Sequence, residues 1–289
     1  MASRWAYEAL TVVQFKDNEY EKRFFEFDKK MSFANWKKDQ WESNLDSKLT
    51  NFYRTAQKEH PLHTEIDKVK RDGQIIINEI RKEIKNFNSS KLYSEEDIEK
   101  LLLTIKNNNM EKKDYLSLHN YLTSIRDYYM NQYNLASNSK DEILIRETDP
   151  DSTFIIKMRG LKKQKVITSK EYRSYKNLMS FLKKYQFQKF KNSYSNHSLE
   201  DFVTNSNSLT FITEDETGLI QKSDPIYLDP INHKYFGAHF YSPSKYFLDY
   251  KFDTFNANLI IIWLMTLLLT VTLYFDVLRK ILEINSSKR

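Results

Sequence analysis

The chain of 289 residues contains no cysteine and only four glycines. Without cysteine it cannot form disulfides, thiolate nucleophiles, iron–sulfur clusters or zinc sites built on Cys ligands. Its glycines are Gly73, Gly160, Gly218 and Gly237. No two of them lie close together, whereas both the Walker loop and G-x-G-x-x-G need two glycines within about six residues. The sequence therefore excludes a nucleotide hydrolase of P-loop or Rossmann type.

An excess of charge of one sign is also missing. There are 45 Lys and Arg against 39 Asp and Glu, a formal net charge of +6, which indicates a balanced surface. The chain is 40% hydrophobic and 15% aromatic, too apolar for a disordered protein. We therefore expect a packed core in one large or two ordinary domains.

One long stretch near the C-terminus lacks charge altogether. No charged side chain occurs from Thr254 to Phe275, and about 20 helical residues cover the roughly 30 Å hydrocarbon layer of a bilayer. The alternative is a buried core helix, but one this long without a polar face is uncommon in a soluble domain. We therefore predict a transmembrane helix at residues 254–275, with Trp263 and Tyr274 towards the interfaces. The residues that we place in the span are Leu259, Ile260, Trp263, Leu267, Val271, Tyr274 and Phe275.

Basic residues flank this helix unevenly. Arg279 and Lys280 follow it, whereas Lys245 and Lys251 before it are balanced by Asp249 and Asp253. Basic residues favour the cytoplasmic side of a membrane. This predicts a cytoplasmic tail at residues 276–289 and everything before the span outside. The N-terminus lacks the features of a signal peptide, so either the orientation rule fails or the chain is the tail of a longer membrane protein, which we favour.

The first 15 residues form an apolar segment, with Ser3 as a candidate N-cap. The segment is too short to span a bilayer and predicts a buried, re-entrant or interfacial helix.

Three stretches of the sequence resemble membrane domains of ABC exporters of the G-subfamily kind, which are type-2 ABC transporter permeases. The segment Ser3-Arg-Trp-Ala-Tyr-Glu-Ala-Leu10, followed by Gln14-Phe15, is similar to the stretch after their fifth spanning helix. The other two stretches are Ala238-His-Phe-Tyr-Ser-Pro243 and Thr272-Leu-Tyr-Phe-Asp-Val-Leu-Arg-Lys280. Residues 16–230 match no motif of that family.

The resemblance implies a topology and a set of partners. A re-entrant helix in the outer leaflet would contain Arg4, Trp5, Tyr7, Glu8 and Leu10. A large extracytoplasmic domain would separate it from the sixth spanning helix, Asn258–Phe275. Met1 is then an internal methionine of a longer protein, or the start of a truncated or split gene.

The same resemblance places the ATP-binding cassette elsewhere. Mg-ATP would bind to a cassette on missing upstream sequence or on a partner chain, and this chain would carry no catalytic, cofactor or metal residue. Its partners would be membrane lipid, the other transmembrane helices and the cassette of a dimeric transporter. The location would be the bacterial inner membrane, multi-pass in the full-length protein.

Periodicity predicts a mainly α fold for the middle of the chain, with a few short strands. Four apolar stripes predict a helical bundle at residues 16–150, with Ser94 as the N-cap of its third helix. A second subdomain at residues 151–253 would begin at the Asp149-Pro150-Asp151 hinge and contain a helix at about residues 169–190. It would also hold short strands at residues 154–158 and 209–213, and an extended return to the membrane between Pro225 and Pro243.

Three local clusters could suggest a binding site, and for each a structural interpretation is preferred. His60 and His63, with Glu59 or Glu65, have the spacing of metal ligands, but exposed helix-end histidines are the preferred interpretation. The run Lys183–Lys191 mixes cations with aromatics, as single-strand nucleic-acid sites do. We favour a solvated helix face without nucleic acid, which outside the cell would meet anionic head groups or partner proteins. Glu214-Asp215-Glu216 predicts a turn.

A rival hypothesis needs no missing helices. In it the chain is a stand-alone, single-pass membrane-anchored interaction protein whose helical bundle lies in the cytoplasm. An enzyme would require a convergent site, which the sequence does not display.

Overall fold

The computed structural model describes residues 2–59, 62–84, 87, 94–149, 152–215, 218–230 and 238–275. The α-helices of this part of the chain are α1 Ala2–Lys16, α2 Phe25–Trp36, α3 Glu42–Ala56, α4 His63–Ile84, α5 Glu95–Lys106, α6 Lys112–Thr148, α7 Ser152–Lys163, α8 Ser169–Tyr194, α9 His197–Thr204 and α10 Thr254–Tyr274. The strands are β1 Ile212–Asp215, β2 Gly218–Gln221, β3 Ser244–Phe247 and β4 Tyr250–Asp253. Short 3₁₀ turns occupy Glu21–Arg23 and Pro225–Tyr227, and a π-helical segment occupies Lys37–Trp41. With 75% helix and 6% strand, the predicted mainly α fold class is confirmed.

The strands form two separate antiparallel hairpins. β1 pairs with β2 so that Ile212 faces Gln221, and β3 pairs with β4 so that Ser244 faces Asp253. The chain divides into two compact units, and the first unit combines residues 1–25, 189–205 and 224–289. The second unit combines residues 26–188 and 206–223.

The second unit is a helical bundle built on the predicted apolar stripes. α3 and α4 pack together, and α6 packs against α3. Fully burying a Leu or Ile side chain stabilises a fold by about 2 kcal/mol, so this core is the main source of the unit's stability. The stripes that the sequence predicts are buried here and include Trp41, Leu45, Leu49, Phe52, Val69, Ile76, Ile80, Ile98, Leu102, Ile105, Leu118, Leu122, Ile125 and Tyr129.

Buried ion pairs run through the same bundle. Lys37 Nζ lies 2.5 Å from Glu83 Oε2 and 3.9 Å from the centroid of the Trp41 ring. The Tyr129 hydroxyl donates a hydrogen bond to the other carboxylate oxygen of Glu83. The buried charges of Lys37 and Glu83 therefore partner each other, as burial in a low-dielectric interior requires.

The first unit has its own small core. Val12, Phe15, Phe25, Val203 and Ile226 are buried together, so α1 packs against α9 and the 3₁₀ turn that begins at Pro225. The β3–β4 hairpin leads directly into α10, because β4 ends at Asp253 and the helix begins at Thr254.

Several local predictions are corrected by the structure. Residues 154–158 lie in helix α7 rather than in a strand, and β1 begins at Ile212, later than predicted. Ser3 lies inside α1, which begins at Ala2, and so is not its N-cap. The return segment contains a 3₁₀ turn after Asp224.

Ser94 is the N-cap of α5, as predicted. The predicted hinge at Pro150 and Asp151 lies outside the described residues. The predicted domain limits do not coincide with the two units and remain predictions.

Candidate functional site

Helix α10 is apolar over its whole circumference. Its 21 residues include an 18-residue window of mean hydropathy 2.0, and none of them carries a charge. Among the described residues it is the one helix long and apolar enough to cross a membrane. Only Thr254, Ala257 and Asn258 are buried, so the part from Leu259 onward presents its apolar side chains outward. The residues predicted for the span, Leu259, Ile260, Trp263, Leu267, Val271, Tyr274 and Phe275, are all exposed.

The threonine hydroxyl groups in the exposed part of α10 are satisfied within the helix itself. Thr266 donates to the carbonyl of Ile262 at 2.9 Å, and Thr270 donates to the carbonyl of Thr266 at 2.9 Å. Thr272 donates to the carbonyl of Leu268. A hydroxyl that bonds to its own helix needs no water, so these threonines are compatible with a hydrocarbon environment.

Helix α1 packs antiparallel against the beginning of α10. Near the end of α1, Lys16 forms an ion pair with Asp253, the residue before α10. Near the start of α1, the Trp5 carbonyl accepts a hydrogen bond from Asn258 Nδ2 at 3.0 Å. The two helices are therefore fastened together at both ends of α1.

A buried polar cluster joins α1, the hairpin and α10. Lys245 Nζ lies 2.7 Å from Glu8 Oε2, and Asn258 Nδ2 donates to the same oxygen at 2.9 Å. Glu8 and Lys245 are each 3% exposed, and Asn258 is fully buried. We call Glu8, Lys245 and Asn258 the anchor cluster.

The environment of Lys245 controls its protonation. Burial lowers the pKa of the Lys245 ammonium, and the Arg4 charge acts in the same direction, whereas the hydrogen bond and charge of Glu8 oppose this. The ammonium also lies 4.5 Å from the centroid of the Trp5 ring, a cation–π contact. Lys245 therefore depends on Glu8 and Trp5 to hold its charge in this buried position.

The backbone around the β3–β4 hairpin is fixed by buried hydroxyls. Thr254 Oγ1 donates to the Ser242 carbonyl at 2.6 Å, and Ser242 Oγ donates to the Ser244 carbonyl at 2.7 Å. His239 Nε2 lies 2.7 Å from the Pro225 carbonyl oxygen, and burial lowers the pKa of this histidine. His239 is therefore a packing residue.

Aromatic side chains from α1 and from the segment before β3 contact each other. The Tyr7 and Phe240 rings stack with centroids 6.4 Å apart, and the Arg4 guanidinium lies 5.4 Å from the Phe240 ring centroid. Burial, together with a hydrogen bond to Tyr7, raises the pKa of Tyr241 to about 12. Residues from two of the stretches that carry the family resemblance are thus in direct contact.

The residues predicted for the outer-leaflet element divide into two groups. Glu8 points into the anchor cluster and Trp5 is half-buried beside it, whereas Arg4, Tyr7 and Leu10 are exposed. The predicted cytoplasmic flank, Arg279 and Lys280, lies outside the described residues.

From the sequence, Lys245 is only a flanking charge of the predicted span, and the side chain of Asn258 has no assigned role. A signal was present: Glu8 is the only charged residue between Arg4 and Lys16, and a lone carboxylate in an apolar helix needs a cationic partner. The distance of 237 residues between Glu8 and Lys245 hides that partner from any local pattern.

Of the predicted turn at residues 214–216, Glu214 and Asp215 instead lie in strand β1, and Glu216 lies outside the described residues. His63 is the first residue of α4, while His60 lies outside the described residues. Lys48 bridges Asp72 at 2.7 Å and Glu214 at 2.8 Å. No group of three or more His, Asp and Glu side chains that could hold a metal occurs in the described part of the chain.

Comparison with known proteins gives no assignment. No protein-family model, curated protein or solved structure matches the chain.

Proposed function

We propose that the chain is the C-terminal part of the membrane-spanning subunit of an ATP-driven ABC exporter. In this proposal α10 is the last transmembrane helix, α1 lies in the outer leaflet beside it, and the helical bulk is extracytoplasmic. ATP would bind and be hydrolysed on a cassette that this chain does not contain. The chain would act through packing and would have no catalytic residue of its own.

One observation carries the proposal, the attachment of α1 to the first turns of α10 by the anchor cluster. An isolated membrane anchor needs no second apolar helix packed against the first turns of its spanning helix. Here Tyr7 and Leu10 are exposed on α1, the helix that bonds to Asn258 in the first turns of α10, where the proposed span begins. That arrangement supports an outer-leaflet element that precedes the last span, as the family resemblance implies.

The surface of α10 supports a role among other membrane helices. From Leu259 onward none of its residues is buried within the described part of the chain, so most of its apolar surface is left for lipid and for neighbouring helices. One helix cannot enclose a path through lipid. Transport would therefore require the other transmembrane helices and the cassette, in a dimeric transporter of the bacterial inner membrane.

The genomic sequence directly upstream tests the proposal. We expect an open frame, continuous with Met1 or in a neighbouring gene, that encodes five apolar spans and a cassette with a Walker loop. An upstream region without such a frame would contradict the exporter assignment.

Protease treatment of sealed inverted membrane vesicles separates the exporter from the rival membrane-anchored interaction protein. An extracytoplasmic bulk lies inside such vesicles, so we expect it to be protected until detergent is added. Digestion without detergent would support the cytoplasmic, membrane-anchored protein instead.

A further inference from the structure

Helix α8 has no buried residue along its 26 residues. Helices of a folded domain usually bury one apolar face. Helix α8 has apolar residues that could form such a face, but they are not buried. Apart from Tyr194 at its end, the large apolar side chains that it exposes are Tyr175, Leu178, Phe181, Leu182 and Tyr185.

These five side chains lie on one side of the helix. At 3.6 residues per turn they fall within an arc of about 120°. Arg173, Lys176, Lys183 and Lys184 fall on the opposite side. Residues 173–185 of α8 are therefore amphipathic, with an apolar aromatic face and a basic face.

The segment that contains this helix concentrates the positive charge of the protein. Residues 152–188 carry ten Lys or Arg and one acidic residue, Glu171. Their formal charge is +9, whereas the whole chain has +6. The remainder of the protein is therefore slightly acidic, and the basic charge belongs to α7 and α8.

This combination distinguishes between three kinds of partner. A second copy of the chain would bring two strongly basic segments together, which is unfavourable. Single-stranded nucleic acid is bound by aromatic residues interleaved with cations along one groove, whereas here the exposed apolar side chains from Tyr175 to Tyr185 lie on the opposite side of the helix from Arg173, Lys176, Lys183 and Lys184. A basic helix with a Tyr, Phe and Leu face matches an anionic membrane surface, where the apolar side enters the acyl boundary.

We propose that the apolar face of α8, formed by Tyr175, Leu178, Phe181, Leu182 and Tyr185, lies in the surface of a bilayer that contains anionic phospholipid. Basic side chains of α7 and α8 supply the electrostatic attraction, and the tyrosine hydroxyls reach the head-group layer. This inference does not depend on the exporter proposal, because it concerns a different surface and a different unit.

Spin labelling tests the proposal, because the chain has no native cysteine. Phe181→Cys places a label on the apolar face, and Lys184→Cys places a control label on the basic face. Each full-length variant is reconstituted into vesicles of phosphatidylcholine alone or with about one third phosphatidylglycerol. Accessibility to oxygen, which partitions into lipid, is compared with accessibility to a water-soluble nickel chelate.

In the anionic vesicles we expect the label at residue 181 to become accessible to oxygen and shielded from nickel. The label at residue 184 should stay accessible to nickel. In phosphatidylcholine alone we expect the shielding at residue 181 to weaken severalfold, because these vesicles have no net negative charge. In anionic vesicles at about 0.5 M salt we expect a similar weakening, because salt screens the electrostatic attraction. Since the readout is local to α8, insertion of α10 into the same bilayer does not produce this difference.

A charge variant completes the test. Lys170→Glu, Arg173→Glu and Lys176→Glu together should abolish the shielding at residue 181. Reversal of three exposed lysines elsewhere, Lys70, Lys112 and Lys113, should leave it unchanged. Nickel accessibility at residue 181 in anionic vesicles would overturn the proposal, as would equal shielding in both lipids or shielding that requires added single-stranded DNA.

Discussion

At the scale of single residues, the position of Glu8 explains how α1 and α10 are joined. A buried carboxylate is costly unless it is paired and hydrogen-bonded. Glu8 forms an ion pair with Lys245 and accepts a hydrogen bond from Asn258. The carboxylate itself could be noticed from the sequence. Its partners could not, because they are brought to it only by the packing of α1 against the hairpin and α10.

Glu8→Gln should destabilise the first unit by about 3 kcal/mol, because it leaves the Lys245 charge buried without a partner. Lys245→Met should have a comparable effect, and the double variant should recover most of the loss. The measurement is the thermal unfolding of the purified protein in detergent micelles.

The exposed pair Glu19–Lys22, 2.6 Å apart, provides the control. Glu19→Gln should cause little change, because water screens an exposed ion pair. If Glu8→Gln were as mild as Glu19→Gln, the anchor cluster would not be what holds α1 in place.

Tyr121 predicts how the bundle responds to alkaline pH. Burial, together with the charges of Glu83 and Glu95, raises the pKa of Tyr121 to about 12 from 10.0. Below pH 10 the tyrosine is protonated in both the folded and the unfolded state and adds no pH dependence. Between about pH 10 and 12 the unfolded state loses its proton first, so the stability that this tyrosine contributes falls as pH rises.

Tyr121→Phe should therefore make the alkaline decrease in stability shallower, by about 1 kcal/mol per pH unit at most. Chemical unfolding curves between pH 9 and 12 measure this slope. Ser124→Ala, which removes a hydroxyl that does not titrate in this range, is the control and should leave the slope unchanged. An unaltered slope in Tyr121→Phe would refute the role of Tyr121.

At the scale of secondary structure, the sequence predicts best where its pattern has one period and one buried face. The stripes of α3 to α6 repeat every three or four residues over long windows, and these helices occur as predicted. The segment at residues 154–158 is a short run of β-branched and aromatic residues, a pattern that helices and strands share. No strand is paired with it among the described residues, and it continues into the helical α7.

The cap of α5 gives a test at this scale. Ser94 Oγ accepts a hydrogen bond from the Asp97 backbone N–H at 3.1 Å and donates to the Asp97 carboxylate at 2.7 Å. Ser94→Ala should lower the free energy of unfolding of the bundle by about 1 kcal/mol, because it leaves the first turn without its cap. Denaturant unfolding followed by circular dichroism measures the change.

Ser124→Ala inside α6 is the control for this variant. Its exposed hydroxyl bonds to the carbonyl of Asn120 in its own helix, so its removal should cost little. Equal stability of the Ser94→Ala variant and the unaltered protein would contradict the capping role.

At the scale of the whole molecule, α10 is the element that the sequence identifies most securely. A long uncharged run follows from composition alone, and the structure places it in one continuous helix whose apolar side chains point outward. The orientation of that helix in a membrane is a proposal based on Arg279 and Lys280. Composition could also not predict the division into two units, because each unit joins segments that are distant in sequence.

The topology of α10 tests the central proposal most directly. Two single-cysteine variants are suitable: Asn109→Cys in the exposed loop between α5 and α6, and Ser287→Cys in the C-terminal tail. A thiol reagent that cannot cross membranes is applied to spheroplasts before and after lysis. We expect Asn109→Cys to react in intact spheroplasts and Ser287→Cys to react only after lysis; the reverse pattern would contradict the extracytoplasmic placement and, with it, the exporter proposal.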